Sequence, residues 1–476
     1  MTPSQTPSLP EAVQHLLTAL TAEHQFEDNQ IKTDAESLDY WGKDWTKHFA
    51  PNPTAIVFPK STEQVQSIVK LANQHEVVLT PSGGRTGLSA GAVAANGEVV
   101  VSFDKMNRIG EFYPADRLVS IEAGVVTEQL QQFAEDKDLY YPVDFASAGS
   151  SQMGGNIGTN AGGIKVIRYG MTRQWVMGLT VVTGAGDILK LNRGMIKNAT
   201  GYDLRQLFIG AEGTLGFVTE AQIKLERQPQ DLTVMVLGME EFSDVMNVLS
   251  AFQAQIDLTA FEFFDNIAIE KLMAHGQVQE PFESRTKFYT LLEFEAPYEP
   301  IMDKAMAVFE SCMESGWVVD GVMSQSIAQA EELWKLREYI SETISVFTPY
   351  KNDVSVLISY VPDFITDIEA IVSSNYPDFE VCWFGHIGDG NLHLNILKPE
   401  NMSKDDFFAE CQVVNKHVFE TVKKYDGSVS AEHGVGMTKK PYLHYSRSET
   451  EIEYLKAIKK VFDPNSIMNR GKIFDV

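Results

Sequence analysis

Three stretches of the chain carry side chains that could do chemistry together. The run Val381 to Lys398, V-C-W-F-G-H-I-G-D-G-N-L-H-L-N-I-L-K, holds His386 and His393 about a central Asp389-Gly390. Asp-Gly between alternating apolar residues predicts a two-residue hairpin turn. Folding there sets His386 opposite His393, Ile387 opposite Leu392 and Gly388 opposite Asn391. Strand side chains alternate, so Trp383, Ile387, Leu392, Leu394 and Ile396 share an apolar face, and Phe384, His386, Asn391, His393 and Asn395 share the other. Opposed Cβ atoms lie roughly 4.5–5.5 Å apart, near enough for two imidazoles to ligate one metal at ~2.0–2.1 Å. The plainer reading is two histidines on a polar sheet face; their common face and turn-fixed register favour metal binding or catalysis.

The second stretch, G-S-V-S-A-E-H-G-V-G, sets Glu432 beside His433. Neighbouring side chains diverge on extended backbone, so one would complete the metal set and leave a position open for substrate. The other would serve as a base. In the third stretch, Arg337 and Ser341 fall one turn apart on a helix predicted over 328–347, with Lys351 just before a strand predicted over 354–360. An arginine fork and a lysine point charge could hold a carboxylate. On spacing alone these are solvated surface charges. His15, His24, His48, His75, His275, His417 and His444 sit in ordinary helical or loop settings and read as structural.

The elements around these residues separate into two textures. Residues 55–59 read as a strand, Ser61 to Gln64 as a capping box, Val65, Ile68, Val69 and Ala72 as a helical stripe, and 76–80 as a returning strand. The loop P-S-G-G-R-T-G-L follows, and a second glycine cluster, S-S-Q-M-G-G-N-I-G-T-N-A-G-G, comes later. Glycines this dense let backbone N–H groups turn toward an anion. Neither loop fits G-x-G-x-x-G or G-K-[ST], but two in one domain, free of carboxylates, point to a large phosphate-bearing cofactor. Further strands are predicted over 98–103, 118–122, 176–183 and 188–191, and N-A-T-G-Y-D-L-R-Q-L-F-I-G-A-E-G-T-L-G closes the unit. From about Gln228, glycine thins and helices alternate with strands, so the fold class is α+β, the second domain built on a largely antiparallel sheet. A last helix over 448–462 opens on a capping box at Ser448 and Glu451.

The 476 residues are 44% hydrophobic, enough for real cores and two or three domains. A net charge of −26 argues against nucleic acid or an anionic membrane as the main partner. Cys312, Cys382 and Cys411 lack metal-site spacing and are odd in number, which suits a reduced compartment. No secretory pattern and no apolar run of ~20 residues is present; the expected location is cytoplasmic, and 2–12 reads as a loose tail entering an amphipathic helix with Val13, Leu16, Leu17 and Leu20 on its apolar face.

With P-S-G-G-R-T-G-L, the Asn198 to Gly216 segment, G-H-I-G-D-G-N-L-H-L-N and S-A-E-H-G-V-G in this order, the chain resembles the FAD-linked D-2-hydroxyacid dehydrogenases of the vanillyl-alcohol-oxidase superfamily, most closely those acting on D-2-hydroxyglutarate. The resemblance runs from about Tyr40 to the end. It implies an N-terminal segment over 1–49, a PCMH-type FAD-binding domain over 50–228, a substrate and metal domain over 229–444, and a C-terminal helical segment over 445–476. FAD would be held by Pro81, Ser82, Gly83, Gly84, Arg85, Thr86 and Gly87, by Gly154, Gly155, Asn156, Gly158, Thr159, Asn160 and Gly163, and by Glu212 and Gly213. Some superfamily members attach FAD through a histidine; neither glycine loop has one, so the expected FAD is non-covalent. His386, His393 and Glu432 become ligands of a divalent metal, usually zinc, and His433 the base. Arg337, Ser341, Lys351 and Asn395 become substrate-binding, which reverses the surface-charge reading. Family members often carry threonine at the Ser341 position, and Arg470 stands where N-P-G-K is commoner, which bears only on a C-terminal contact. The implied reaction oxidises a D-2-hydroxy acid by hydride transfer to flavin N5, with electrons passing to an electron-transfer flavoprotein or quinone. A homodimer is compatible. The rival readings are a D-lactate dehydrogenase, a glycolate-oxidase-type catalytic subunit, and a flavin-binding subunit whose metal is structural.

Overall fold

The computed structural model describes residues 9–46, 49–276 and 278–476; residues 2–8 of the expected tail and His48 lie outside them. The chain forms two compact units, Met1–Ala161 with Met171–Gln228 and Glu432–Val476, and Gly162–Gly170 with Pro229–Ala431.

In the first unit, Ser61 accepts the Gln64 N–H and caps the helix Thr62–His75. Val65, Ile68, Val69 and Ala72 are fully buried against Ala55, Val57, Leu79, Val99 and Val101. Each buried aliphatic side chain contributes about 1.5–3 kcal/mol, so this stripe holds the helix to its sheet. The sheet runs Ile31–Lys32, Ala55–Val57, Val99–Ser102, Leu79–Ser82, with the last three parallel. A five-stranded antiparallel sheet runs Ile109–Tyr113, Leu118–Glu122, Gly216–Lys224, Val176–Thr183, Ile188–Leu191.

The helices near either end of the chain belong to this unit. Val13, Leu16, Leu17 and Leu20 of the helix Glu11–His24, and Ile467 and Met468 near the C-terminus, enter the same core. Burying those side chains requires a partner face, and the parallel sheet's helical layer provides it. The closing helix Glu449–Phe462 has its capping box, Ser448 and Glu451 bonding reciprocally at 2.9–3.2 Å.

The second unit is built on a seven-stranded sheet in the order Asp320–Met323, Leu232–Met239, Phe288–Glu295, Leu258–Asp265, Val381–Gly385, Asn391–Ile396, Tyr350–Ser355, every pair antiparallel. One face packs Val234, Val236, Ala260, Phe264, Leu291, Cys382 and Phe384 against Trp334, Leu336 and Ile340.

Three expectations change here. The hairpin turn is longer than two residues: Phe384, not His386, pairs with His393, and His386 to Gly390 form a loop with one turn of 3-10 helix at Ile387–Asp389. Gly390 adopts φ 84, where a Cβ would also fall on the Val356 carbonyl oxygen, so the Asp-Gly serves a five-residue loop rather than a tight turn. The register moves by two residues, an even number, so each strand side chain keeps its expected face. Second, the predicted helix over 328–347 is three pieces, Ile327–Glu338, Ile340–Thr343 and a 3-10 turn at Ile344–Phe347. Ile340 and Ile344 are fully buried, and seating them overrides a run with no glycine or proline to mark a break. Third, the strand predicted over 354–360 is Tyr350–Ser355, followed by 3-10 backbone at Ile358–Tyr360.

Candidate active site and metal centre

The three last strands of the second sheet bring the predicted residues onto one face. Asn395 pairs with Lys351 and with Cys382, and His393 pairs with Asp353 and with Phe384. The rings of His386 and His393 stand 5.4 Å apart at 82°. With Glu432, the residue after the unit's end at Ala431, they present ligand atoms all within 4.8 Å of one another. Two imidazoles and a carboxylate at that spacing suit a divalent ion with an open position.

His386 is oriented by a residue the sequence did not single out. Its Nδ1 meets the carboxylate of Glu262 at 2.8 Å, in the strand Leu258–Asp265. A carboxylate accepts, so Nδ1 carries the proton and Nε2 keeps its lone pair for a metal. Arg337 Nε lies 2.7 Å from the same carboxylate, and its guanidinium carbon sits 4.9 Å over the Phe384 ring. Glu262 and Arg337 are 1% and 6% exposed, so both charges are removed from water and neutralise each other. The only sequence signal was a carboxylate alternating with aromatics in T-A-F-E-F-F.

Lys351 donates to Ser341 Oγ at 3.1 Å, which brings together the last two predicted anchors although Ser341 and Arg337 occupy separate helices. The Lys351 ammonium keeps access to solvent, while protein around it partly desolvates it and lowers its pKa. Asn395 spends its Nδ2 on the Cys382 and His393 carbonyls, leaving its Oδ1 for other partners. Asp353, also missed, accepts from Asn391 at 2.8 Å and lies 3.8 Å from His393 Nδ1.

His433 follows Glu432 in a half-buried bend. Glu212 fixes this bend: its two oxygens accept the Val435 and Gly436 N–H groups at 2.7 and 2.8 Å. Burial pushes the Glu212 carboxyl up to about 7, against those two hydrogen bonds and nearby Lys472. Glu212, expected at the cofactor, therefore turns its carboxylate onto the backbone of the S-A-E-H-G-V-G loop. The C-terminal contacts come from Asn469, which donates to Gly91 and Glu212 carbonyls, and Lys472, which donates to Val93; Arg470 donates to the local Ser466 carbonyl.

The glycine loops differ from each other. Pro81 and Ser82 end a strand, and Arg85 has a positive φ of 60, its guanidinium bonded to Gly83 O and stacked 4.6 Å over Tyr40. A Cβ on Gly84 would strike the Ser150 carbonyl, so the two loops touch there. Thr86 and Gly87 continue the turn, with Gly87 O accepting the Trp45 N–H. The second cluster is a short helix, Met153–Thr159, rather than a loop. Gly154 packs on Ala123, Gly155 faces open space and Gly158 borders Glu212, with Gly213 against Pro81. Asn156 donates to Thr127, Thr159 to Gly155 O, and Asn160 Oδ1 accepts the Arg173 N–H. Gly163 falls in the segment that belongs to the second unit. Ser82 Oγ and Gln152 Oε1 are buried with no hydrogen-bond partner among the described residues, and Gln152 Oε1 lies 3.5 Å from where a Gly83 Cβ would be. Unsatisfied polar atoms around an open glycine turn fit a polar ligand such as a flavin dinucleotide.

Comparison with known proteins finds two family matches along the chain. Residues 53–192 match the FAD binding domain, and 228–473 match the FAD linked oxidases, C-terminal domain. A D-2-hydroxyglutarate dehydrogenase of Stutzerimonas stutzeri is 69% identical over 94% of this chain and 97% of its own length. One from Xanthomonas citri pv. viticola is 51% identical over 94% of each. In fold, the chain is similar to p-cresol methylhydroxylase, with a TM-score of 0.74 over 98% of each chain at 15% identity. No helix among the described residues is long and apolar enough to cross a membrane. The chain belongs to the FAD-linked oxidase family that includes the D-2-hydroxyglutarate dehydrogenases, and it is an FAD-dependent dehydrogenase.

Proposed function

We propose that the protein oxidises D-2-hydroxyglutarate to 2-oxoglutarate. The observation that carries this reading is the pairing of two cationic anchors, Arg337 and Lys351 with its Ser341 partner, with a His386, His393 and Glu432 donor set. A monoacid needs one carboxylate grip; a diacid needs two. The relatives named above, at 69% and 51% identity, support the same substrate.

FAD, held non-covalently at the glycine turns, would supply the two-electron acceptor for the C2 hydrogen. His386, His393 and Glu432 would hold a divalent metal, for which their nitrogen and oxygen donors suit zinc, and it would supply Lewis acidity toward the substrate. His433 takes the hydroxyl proton as the general base. One hydride and one proton leave, and the C2–O bond becomes a carbonyl. Arg337, Lys351 and Ser341 hold the distal carboxylate, and Asn395 Oδ1 borders the same face. An electron-transfer flavoprotein or quinone would serve as the acceptor that restores the oxidised cofactor. The three cysteines, all buried and unpaired, suit a reducing cytoplasm, and a homodimer is compatible with the chain.

The test is steady-state turnover with a dye acceptor on D-2-hydroxyglutarate, its L-enantiomer, D-lactate and glycolate. The D-diacid is expected to give the highest kcat/KM. A higher value for D-lactate or glycolate would overturn the assignment.

A further inference from the structure

Two buried glutamates occupy the helix-covered face of the second sheet, and their partners differ in kind. Glu293 is engaged by Thr259 at 2.6 Å, by Trp334 Nε1 at 3.0 Å and by Lys165 at 3.1 Å, none of them a candidate site residue. Glu262, on the neighbouring strand, is engaged by His386 Nδ1 at 2.8 Å and Arg337 Nε at 2.7 Å. One of these carries a metal donor and the other a substrate anchor.

From this sharing we infer that Glu262 is the positioning residue that sets the metal site and the carboxylate grip together. The inference rests on the metal and substrate roles given above for His386 and Arg337. Accepting from Nδ1 fixes the imidazole tautomer that leaves Nε2 bare, and the hydrogen bond fixes the ring's rotation. The Glu262 carboxylate holds the guanidinium as an ion pair, 2.7 Å from Oε2 to Arg337 Nε with no hydrogen bond between those two atoms, and the two terminal amino groups form the fork for an incoming carboxylate. The negative charge also offsets the arginine, which could not otherwise remain at 6% exposure. Glutamine cannot replace it, because an amide carries no charge to offset the arginine and has only one oxygen to turn toward Nδ1. An amide NH2 turned toward Nδ1 would favour the opposite tautomer, whose Nε2 is protonated and cannot ligate.

Zinc alone, titrated against a chromophoric chelator, reads the first half. Glu262→Gln is expected to weaken zinc binding about 10–100-fold while flavin content and the circular dichroism spectrum stay unchanged. At saturating zinc, the KM for D-2-hydroxyglutarate should remain raised with a smaller change in kcat, because the arginine fork is still displaced. Unchanged zinc affinity in the folded variant overturns the inference. Should Glu262→Gln not fold, Arg337→Met is compared with the double exchange Glu262→Met, Arg337→Met, which removes both buried charges. Zinc binding should survive in the first and weaken in the second; equal affinity in the two contradicts the inference. His386→Ala separates the layers: if it binds zinc as wild type does, the metal assignment itself has failed.

Discussion

At the scale of single residues, the account turns on which side chain meets which part of the substrate. Lys351 is not needed by lactate, whose one carboxylate the metal can take, whereas a distal carboxylate buried without a partner is costly. Lys351→Ala should cost D-2-hydroxyglutarate about 2–3 kcal/mol in kcat/KM and D-lactate little, measured with one acceptor at one salt concentration. Equal losses would assign Lys351 to the shared carboxylate or to the fold. His433→Ala should lower kcat about 10²–10⁴-fold with metal content intact; loss of metal would mean that Glu432 and His433 exchange roles. The sequence made these residues legible to different degrees. His386 and His393 could be found because seven positions on one strand-loop-strand segment keep them on one face even when the register moves by two. Glu262 could not, since it lies 124 residues from His386 and reads locally as one acid in a hydrophobic strand. Only pairing with Val381–Gly385 brings it to the histidine.

At the scale of elements, the chain's local signals name segments well and their ends less well. Caps and apolar stripes depend on neighbours within one or two turns, so Thr62–His75 and Glu449–Phe462 were readable, though the box expected at Ser61 is half formed because Gln64 Oε1 accepts the Lys60 N–H. The break at Tyr339 and the loop from His386 to Gly390 depend on distant packing, of Ile340 and Ile344 in one case and Val356 in the other. The loop that carries Glu432 and His433 is likewise held from afar, by Glu212. Glu212→Gln puts a donor against one of two N–H groups and should cost about 1–3 kcal/mol, read as a lower Tm. Burial raises the folded-state value of Glu212 to about 7, from an ordinary 4.5, and that of Asp265 to about 7, from 3.8. Between those limits the folded chain binds more protons than the unfolded one. Stability therefore falls as pH rises from about 4 to 7 and levels off above, by at most about 1.4 kcal/mol per pH unit for each group. Glu212→Gln should flatten part of that slope in denaturant titrations across the window; an unchanged slope would remove Glu212 as a source.

At the scale of the whole molecule, the glycine turns proposed for flavin and the two histidines proposed for metal lie in different stretches of the chain. The glycine turns lie in residues matched by the FAD binding domain, and His386 and His393 in those matched by the FAD linked oxidases, C-terminal domain. Flavin should leave on acid precipitation, since neither glycine cluster has a histidine to tether it; flavin retained in the denatured pellet would refute non-covalent binding. The central claim is that the flavin is reduced by a D-2-hydroxy diacid only when the His386, His393 and Glu432 site holds metal. Its most direct measurement is anaerobic mixing with D-2-hydroxyglutarate while flavin absorbance is followed, before chelation, after it, and after zinc is returned. Bleaching should occur in the first and third cases and be absent in the second, with the oxidised flavin still bound throughout. Full bleaching by a protein that metal analysis finds empty would contradict the account.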